Sequence, residues 1–195
     1  MVIDLLRHGE TTAGQCFIGR SDVLLTETGW QQMYTAVTDQ QYDLVISSPL
    51  SRCLDFVKQY TTDTNLEWLV EQDFREYDFG EWEGKLSKDL WASHRALMSG
   101  FWEDPWNHPP PGGEDFKQFQ ARVSTAMNRH LQTLSGKKIL VVAHGGVIRQ
   151  IFVCLLNKSW HQAMKMPVGH GERLRMCMTD NGLKLEDDCF LCDYM

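Results

Sequence analysis

Two short apolar runs, far apart in the chain, each end in a histidine followed by glycine. The first is Val2-Ile3-Asp4-Leu5-Leu6, which leads into Arg7-His8-Gly9-Glu10. The second is Ile139-Leu140-Val141-Val142-Ala143, which leads into His144-Gly145-Gly146. Short apolar runs bounded by turn residues read as buried strands. In open α/β sheets, ligands bind at the carboxyl edge of such strands. Two strand–His–Gly units in one small chain therefore predict two imidazoles at one cleft, with the Arg7 cation beside them.

The rest of the chain alternates strands and helices. Thr26 or Thr28 is placed to cap a helix running to about 39, with Trp30, Met33 and Val37 on one face. A second strand is expected at 42–47. Ser48-Pro49 ends it, with Ser48 as N-cap of a helix to about 60 and Leu50, Leu54 and Val57 turned inward. A third strand is expected at 66–70, an aromatic and polar loop at 74–84, and a helix at 87–98. Residues 99–113 hold three consecutive prolines and read as an irregular insert, because proline removes helix and ladder hydrogen bonds. The longest helix is predicted over 114–134, where Phe116, Phe119, Val123, Met127 and Leu131 keep helical spacing. A strand at 138–143 and a helix at 147–156 follow. A hairpin of 173–178 with 183–185 turns at Asp180-Asn181-Gly182. The expected fold is α/β: a three-layer sandwich, with a mostly parallel sheet, helices on both faces and an antiparallel edge. One domain over 1–195 is expected, with a lid-like insert at about 74–113.

Composition narrows the partners. The net charge is −7 with no block of like charges, which argues against nucleic acid and leaves an anionic ligand to a local cluster of cations. Arg7 and Glu10 interrupt the N-terminal apolar run too early for a secretory signal, and no apolar stretch reaches the roughly 20 residues of a membrane span. A cytoplasmic chain, monomeric or homodimeric and without membrane contact, is the expectation. Cys53 and Cys154 read as small core residues. Cys189 and Cys192 have CxxC spacing, but no second pair or nearby histidine completes a zinc site, so neither metal nor cofactor is expected.

The strand ends collect Arg7, His8, Arg52 and His144, with Arg52 in the first turn of its helix beside that helix's amide donors. Guanidinium forks match phosphate oxygens, so phosphate is the most economical ligand. The chain has no G-x-x-x-x-G-K-[ST] loop, no Cys followed six residues later by Arg, no Asp-x-Asp and no H-E-x-x-H. The remaining nucleophile is histidine, which must present a neutral nitrogen while a hydrogen bond orients the other. Either imidazole qualifies on this reading. An alkoxide leaving group needs a proton. The candidate acids are Glu10, Glu76, Asp78, Glu81, Glu83 and Glu114, with Glu76 favoured by its aromatic loop after a strand.

Five motifs in chain order resemble the histidine phosphatase superfamily, the phosphoglycerate mutase-like fold. They are Leu5-Leu6-Arg7-His8-Gly9-Glu10-Thr11, Ser47-Ser48-Pro49-Leu50-Ser51-Arg52, Glu76-x-x-Phe79-Gly80-x-Trp82-Glu83-Gly84, Gly112-Gly113-Glu114 and Ala143-His144-Gly145-Gly146. Size and motif style most resemble the α-ribazole phosphatases of cobalamin nucleotide-loop assembly. The resemblance implies that His8 becomes phosphorylated, that Arg7, Arg52 and His144 clamp the phosphoryl group, and that Glu76 is the general acid and then the base for water. Further phosphate or substrate contacts are expected from Thr11, Gly19, Gly145, Glu114 and Trp82. Many members carry Asn six residues after the nucleophile, where this chain has Gly14.

Blander readings stand beside these. Glu114 reads equally as an acid favoured early in a helix. Trp82, Trp102 and Trp106 read either as a stacking surface for a flat base or as packing. His94, His108, His130, His161 and His170 lack the strand-end context and read as surface or core. The implied activity is a phosphomonoesterase on a small-molecule ester. A mutase or sugar-bisphosphate phosphatase on the same frame is the alternative, and a phosphate-binding module without turnover is a third.

Overall fold

The computed structural model describes residues 1–179 and 182–185. Six strands form one mixed sheet in the order β3-β2-β4-β1-β5-β6. These are β1 (Val2–Arg7), β2 (Leu44–Ser47), β3 (Trp68–Val70), β4 (Lys138–Ala143), β5 (Arg173–Thr179) and β6 (Gly182–Leu185). The first four run parallel, and β5 and β6 add the antiparallel edge. The helices are α1 (Glu27–Val37), α2 (Ser51–Thr64), α3 (Ser87–Ser93), α4 (Arg95–Glu103), α5 (Phe116–Thr133), α6 (Gly145–Leu156) and α7 (Trp160–Lys165). The expected turn residues Asp180 and Asn181, and the Cys189 and Cys192 pair, lie outside the described residues.

Side chains alternate across a strand, so β1 feeds two cores. Leu5 packs with Ile46, Val141 and the apolar faces of α5 and α6. Leu6 packs on the other face with Val45, Val142, Met33 of α1 and Phe56 of α2. Helices therefore cover both faces, as the fold class requires.

The local expectations differ from the structure at several points. Thr26 is the cap of α1, and its side chain accepts the Gly29 amide. Ser48 does not cap α2: Leu50 holds that position with no side-chain cap bond, and the Ser48 hydroxyl instead faces His144 Nε2 and accepts the Leu50 amide. The inward face of α2 is Cys53, Phe56, Val57 and Tyr60, while Leu50 and Leu54 are only half-buried. The helix expected at 87–98 breaks at His94, and α4 then reaches into the segment expected to be irregular. Glu114 precedes α5, whose cap is Asp115. α6 begins at Gly145 rather than Val147, so both glycines of His-Gly-Gly lie in its first turn. Cys154 is half-buried rather than core. The short helix α7 had no expectation.

Asp4 is fully buried within β1. Tyr42 donates its hydroxyl to it at 2.7 Å, and Arg173 and Arg175 of β5 donate at 2.8 and 2.7 Å. Burial pushes the Asp4 carboxyl up, but the bonds from Arg175 and Tyr42 with the Arg173 charge outweigh it and hold the group below the usual carboxylate range. Asp4→Asn is expected to cost about 3 kcal/mol of stability in urea unfolding at neutral pH, as for one broken buried pair. A carboxyl depressed on folding stabilises above its unfolded value, near about 3.9. The difference between variant and wild type should therefore shrink as pH falls through the folded value. A pH-independent difference would show that packing, not charge, carries the effect.

Candidate active site

Register sets the site. β1 and β4 pair so that Arg7 lies opposite Ala143, so the next residues, His8 and His144, leave the sheet side by side. Their ring centroids are 5.3 Å apart. β2 pairs with β4 so that Ser47 faces Val142, which brings Ser48 to His144. Close backbone packing holds the exit from β1 in place: a Cβ on Gly9 would lie 2.1 Å from the Gly29 carbonyl oxygen.

The two imidazoles differ in their hydrogen bonds. His8 Nδ1 lies 2.8 Å from the Gly9 carbonyl. A carbonyl only accepts, so Nδ1 carries the proton and Nε2 keeps its lone pair. Burial, then the Arg52 and Arg7 charges, hold the His8 pKa well below the ordinary imidazole value. His144 has both nitrogens engaged. Arg52 Nε donates to its Nδ1 at 3.1 Å, and Nε2 faces the Ser48 hydroxyl at 2.7 Å. Guanidinium only donates, so the His144 proton sits on Nε2. Burial and the same two arginines with His8 also depress its pKa.

A cavity of about 360 Å³ opens over His8. Its polar end holds Arg7, His8, Thr11, Glu76, Gly145 and Gly146, and its far wall is aromatic, with Phe17, Tyr77, Phe101, Trp102 and Phe116 among its residues. The Glu76 carboxylate is held open toward this space by two amides, Tyr77 and Gly146, each donating at 3.0 Å. Of the six candidate acids, Glu76 lines the cavity and the other five do not. Gly14 has a positive φ of 61°, and a Cβ there would meet nothing within 4 Å. That rim position, where the family pattern has Asn, is open space.

Several expected contacts lie elsewhere. Arg52 and His144 are fully buried behind the cavity wall. Arg52 donates Nη1 to Ser21 O and Nη2 to Gly19 O, at 2.8 and 2.7 Å, besides its bond to His144. Gly19 points its amide at the Glu83 carboxylate, not at the cavity. Glu83 also accepts the Arg20, Ser21 and Phe79 amides, so this candidate acid clamps two loops together. Glu114 pairs with Arg122 at 2.7 Å, and Arg122 in turn donates to the carbonyls of Asp73, Arg75 and Glu76. That strut supports the Glu76 loop and gives Glu114 no access to the cavity. Trp82 is buried between Phe17 and Phe101, so it packs and does not stack on a ligand. Trp106 bonds Gln120 and packs on Phe116, whereas Trp102 does line the cavity.

Two lining residues were not expected at the site: Arg149 had no reading, and His170 was read as surface or core. Arg149 lies one turn after Gly145 on α6, donating Nη1 to Gly145 O and Nη2 to Met166 O, both at 3.2 Å. His170 lies 3.0 Å from Arg7 Nη2, with its ring centroid 5.4 Å from that of His8. A signal for each was present. Arg149 shares the helix face of Gly145 at i+4, and His170-Gly171 is a third His-Gly pair. The Nε atoms of Arg7 and Arg149 are buried without an acceptor among the described residues. Buried donors are normally paired, so this corner is built to receive an acceptor.

Residues 3–187 match the family model described as histidine phosphatase superfamily (branch 1). The chain is 31% identical over 162 residues to a 2,3-bisphosphoglycerate-dependent phosphoglycerate mutase of Rhizobium etli, covering 75% of this chain and 76% of that protein. It is 30% identical over 167 residues to the adenosylcobalamin/alpha-ribazole phosphatase of Escherichia coli, covering 80% and 82%. The crystal structure of the alpha-ribazole phosphatase from Shigella flexneri superposes with a TM-score of 0.82 at 26% identity, covering 95% of each chain.

Proposed function

From the premise that this chain belongs to the histidine phosphatase superfamily and is a phosphatase, we propose that it hydrolyses a small phosphomonoester through a phosphohistidine on His8. The observation that carries this reading is the His8 Nδ1 contact with the Gly9 carbonyl, which leaves Nε2 its lone pair beside a cavity lined by Arg7 and Arg149, whose Nε–H groups have no partner among the described residues. Nε2 attacks phosphorus, and the bond to the ester oxygen breaks. Glu76, protonated for this step, gives its proton to the departing alkoxide. Water then attacks the phosphohistidine, Glu76 takes that proton back, and inorganic phosphate leaves. Arg7, Arg149 and the first amide of α6 at Gly145 balance the charge on the phosphoryl oxygens. Arg52 and His144 act from behind, holding the strand ends in register. The fold works as a single domain, with the 74–113 insert as a lid that supplies Tyr77, Phe79, Phe101 and Trp102 to the cavity.

The substrate we propose carries an aromatic or apolar group on its alcohol, with α-ribazole 5'-phosphate as the specific candidate and cytoplasmic cobalamin assembly as the setting. The aromatic far wall supports this over phosphoglycerates. A carboxylate or second phosphate there would find no cation among the lining residues beyond Arg7, Arg149 and the histidines already at the phosphoryl end. The test is a panel of α-ribazole phosphate, 3-phosphoglycerate and fructose bisphosphate, run with and without a chelator. The expected outcome is highest kcat/KM for α-ribazole phosphate and rates indifferent to chelation. A preference for 3-phosphoglycerate would overturn the substrate, and complete loss with chelator would overturn the mechanism.

A further inference from the structure

The segment from 166 to 172 gathers the cations of the cavity. Met166 O accepts from Arg149, and Val168 O accepts from Arg7 Nη1 at 2.6 Å. Gly171 donates its amide to the His8 carbonyl at 3.2 Å, and Glu172 O accepts the Arg7 amide at 3.0 Å. The backbone here has little freedom. Gly171 sits at φ 68°, and a Cβ there would lie 2.5 Å from Cβ of Gln32 on α1. His170, between these anchored residues, is thereby held against Arg7.

Among the described residues the Arg7 guanidinium has two hydrogen-bond partners, the Val168 backbone carbonyl and His170 Nε2, and both are neutral acceptors. A guanidinium cannot accept, so the contact exists only while Nε2 of His170 is unprotonated. Among the described residues no carboxylate touches the fork, so its charge stays available to a ligand. Resting on the phosphatase reading, we propose that His170 is a positioning residue: the neutral acceptor that aims Arg7 at the phosphoryl group and releases it on protonation. Three groups face it: Arg7 and His8 at the end of β1, and Glu10 in the loop that follows, while Glu172 on its own segment turns its carboxylate to the Gly169 amide. Partial shielding of the imidazole by its neighbours, then the Arg7 charge, lowers the His170 pKa, and Glu10 opposes them. The neutral form therefore holds at pH 7, and the contact is lost on the acid side.

The experiment compares wild type, His170→Ala and His170→Gln, with inorganic phosphate as the competitive probe and an aryl phosphate as substrate. Glutamine supplies an acceptor that does not titrate. His170 is exposed, so thermal unfolding of both variants should match wild type. The alanine variant is expected to weaken phosphate inhibition and raise KM about tenfold, the scale of one hydrogen bond to a charged group, with a smaller change in kcat. The glutamine variant should recover most of this at neutral pH and should lack the loss of phosphate affinity expected of wild type on the acid side, below the ordinary imidazole range. Unchanged phosphate affinity in the alanine variant would overturn the proposal. So would a glutamine variant no better than alanine, or one with the wild-type pH profile. If the phosphatase reading itself were wrong, wild type would neither turn over the ester nor bind phosphate, so the two failures are distinct.

Discussion

His8→Ala is expected to lose about four orders of magnitude or more in kcat/KM toward any phosphomonoester, and to form no phosphoenzyme. Residues that act as one unit in covalent catalysis fail together when the nucleophile goes, leaving only binding and charge stabilisation. Wild type treated with substrate and quenched should carry a phosphate label that is stable in base and lost in acid. The hydrogen bonds make this assignment one-sided. His8 keeps a free Nε2, while His144 has Arg52 on one nitrogen and Ser48 on the other. His144→Ala should therefore retain a label, formed more slowly because Arg52 loses an acceptor. A label abolished by His144→Ala and retained by His8→Ala would reverse the assignment.

Glu76→Gln is expected to slow alkyl phosphates about 10²- to 10⁴-fold, the range of general acid catalysis, and aryl phosphates much less. A phenoxide leaves without much help, whereas an alkoxide needs its proton. Part of the loss has a structural source. Both Glu76 oxygens accept amides, from Tyr77 and Gly146, and the glutamine NH2 would face one of those donors. That mismatch affects both substrate classes equally, so the alkyl-to-aryl ratio isolates the proton transfer. Steady-state kinetics on a matched ester pair measures it, and equal losses would remove Glu76 as the acid.

The legible part of this site was local. Arg7-His8-Gly9 and His144-Gly145-Gly146 announce themselves because an apolar strand, a functional residue and a turn fall within eight consecutive residues. Arg52 was legible as the first-turn residue of a helix after Ser-Ser-Pro. Its direction was not: the guanidinium turns to Ser21 O, Gly19 O and His144 rather than to the cavity. Trp82, Glu114 and Gly19 belong to motifs that accompany catalysis. Their side chains or amides hold loops, and no local pattern separates a residue that touches a ligand from one that supports its neighbour. Arg149 and His170 had the opposite fate, since each sits in an ordinary helix or loop until α6 and the 166–172 segment pack beside β1.

The sequence by itself determined the α/β frame, the strand ends that carry two imidazoles and a guanidinium, and phosphate as the ligand. These follow from apolar periodicity and residue chemistry, which are properties of short stretches. The family resemblance pointed to His8 and Glu76, but only the tertiary structure shows which ring nitrogens are engaged and which of the six candidate carboxylates lines the cavity. It also decided which cations line that cavity. Those choices depend on hydrogen bonds between residues as much as 163 positions apart, such as Arg7 with His170. The β1–β4 register that brings His8 beside His144 is set by two strands that the sequence separates by most of its length.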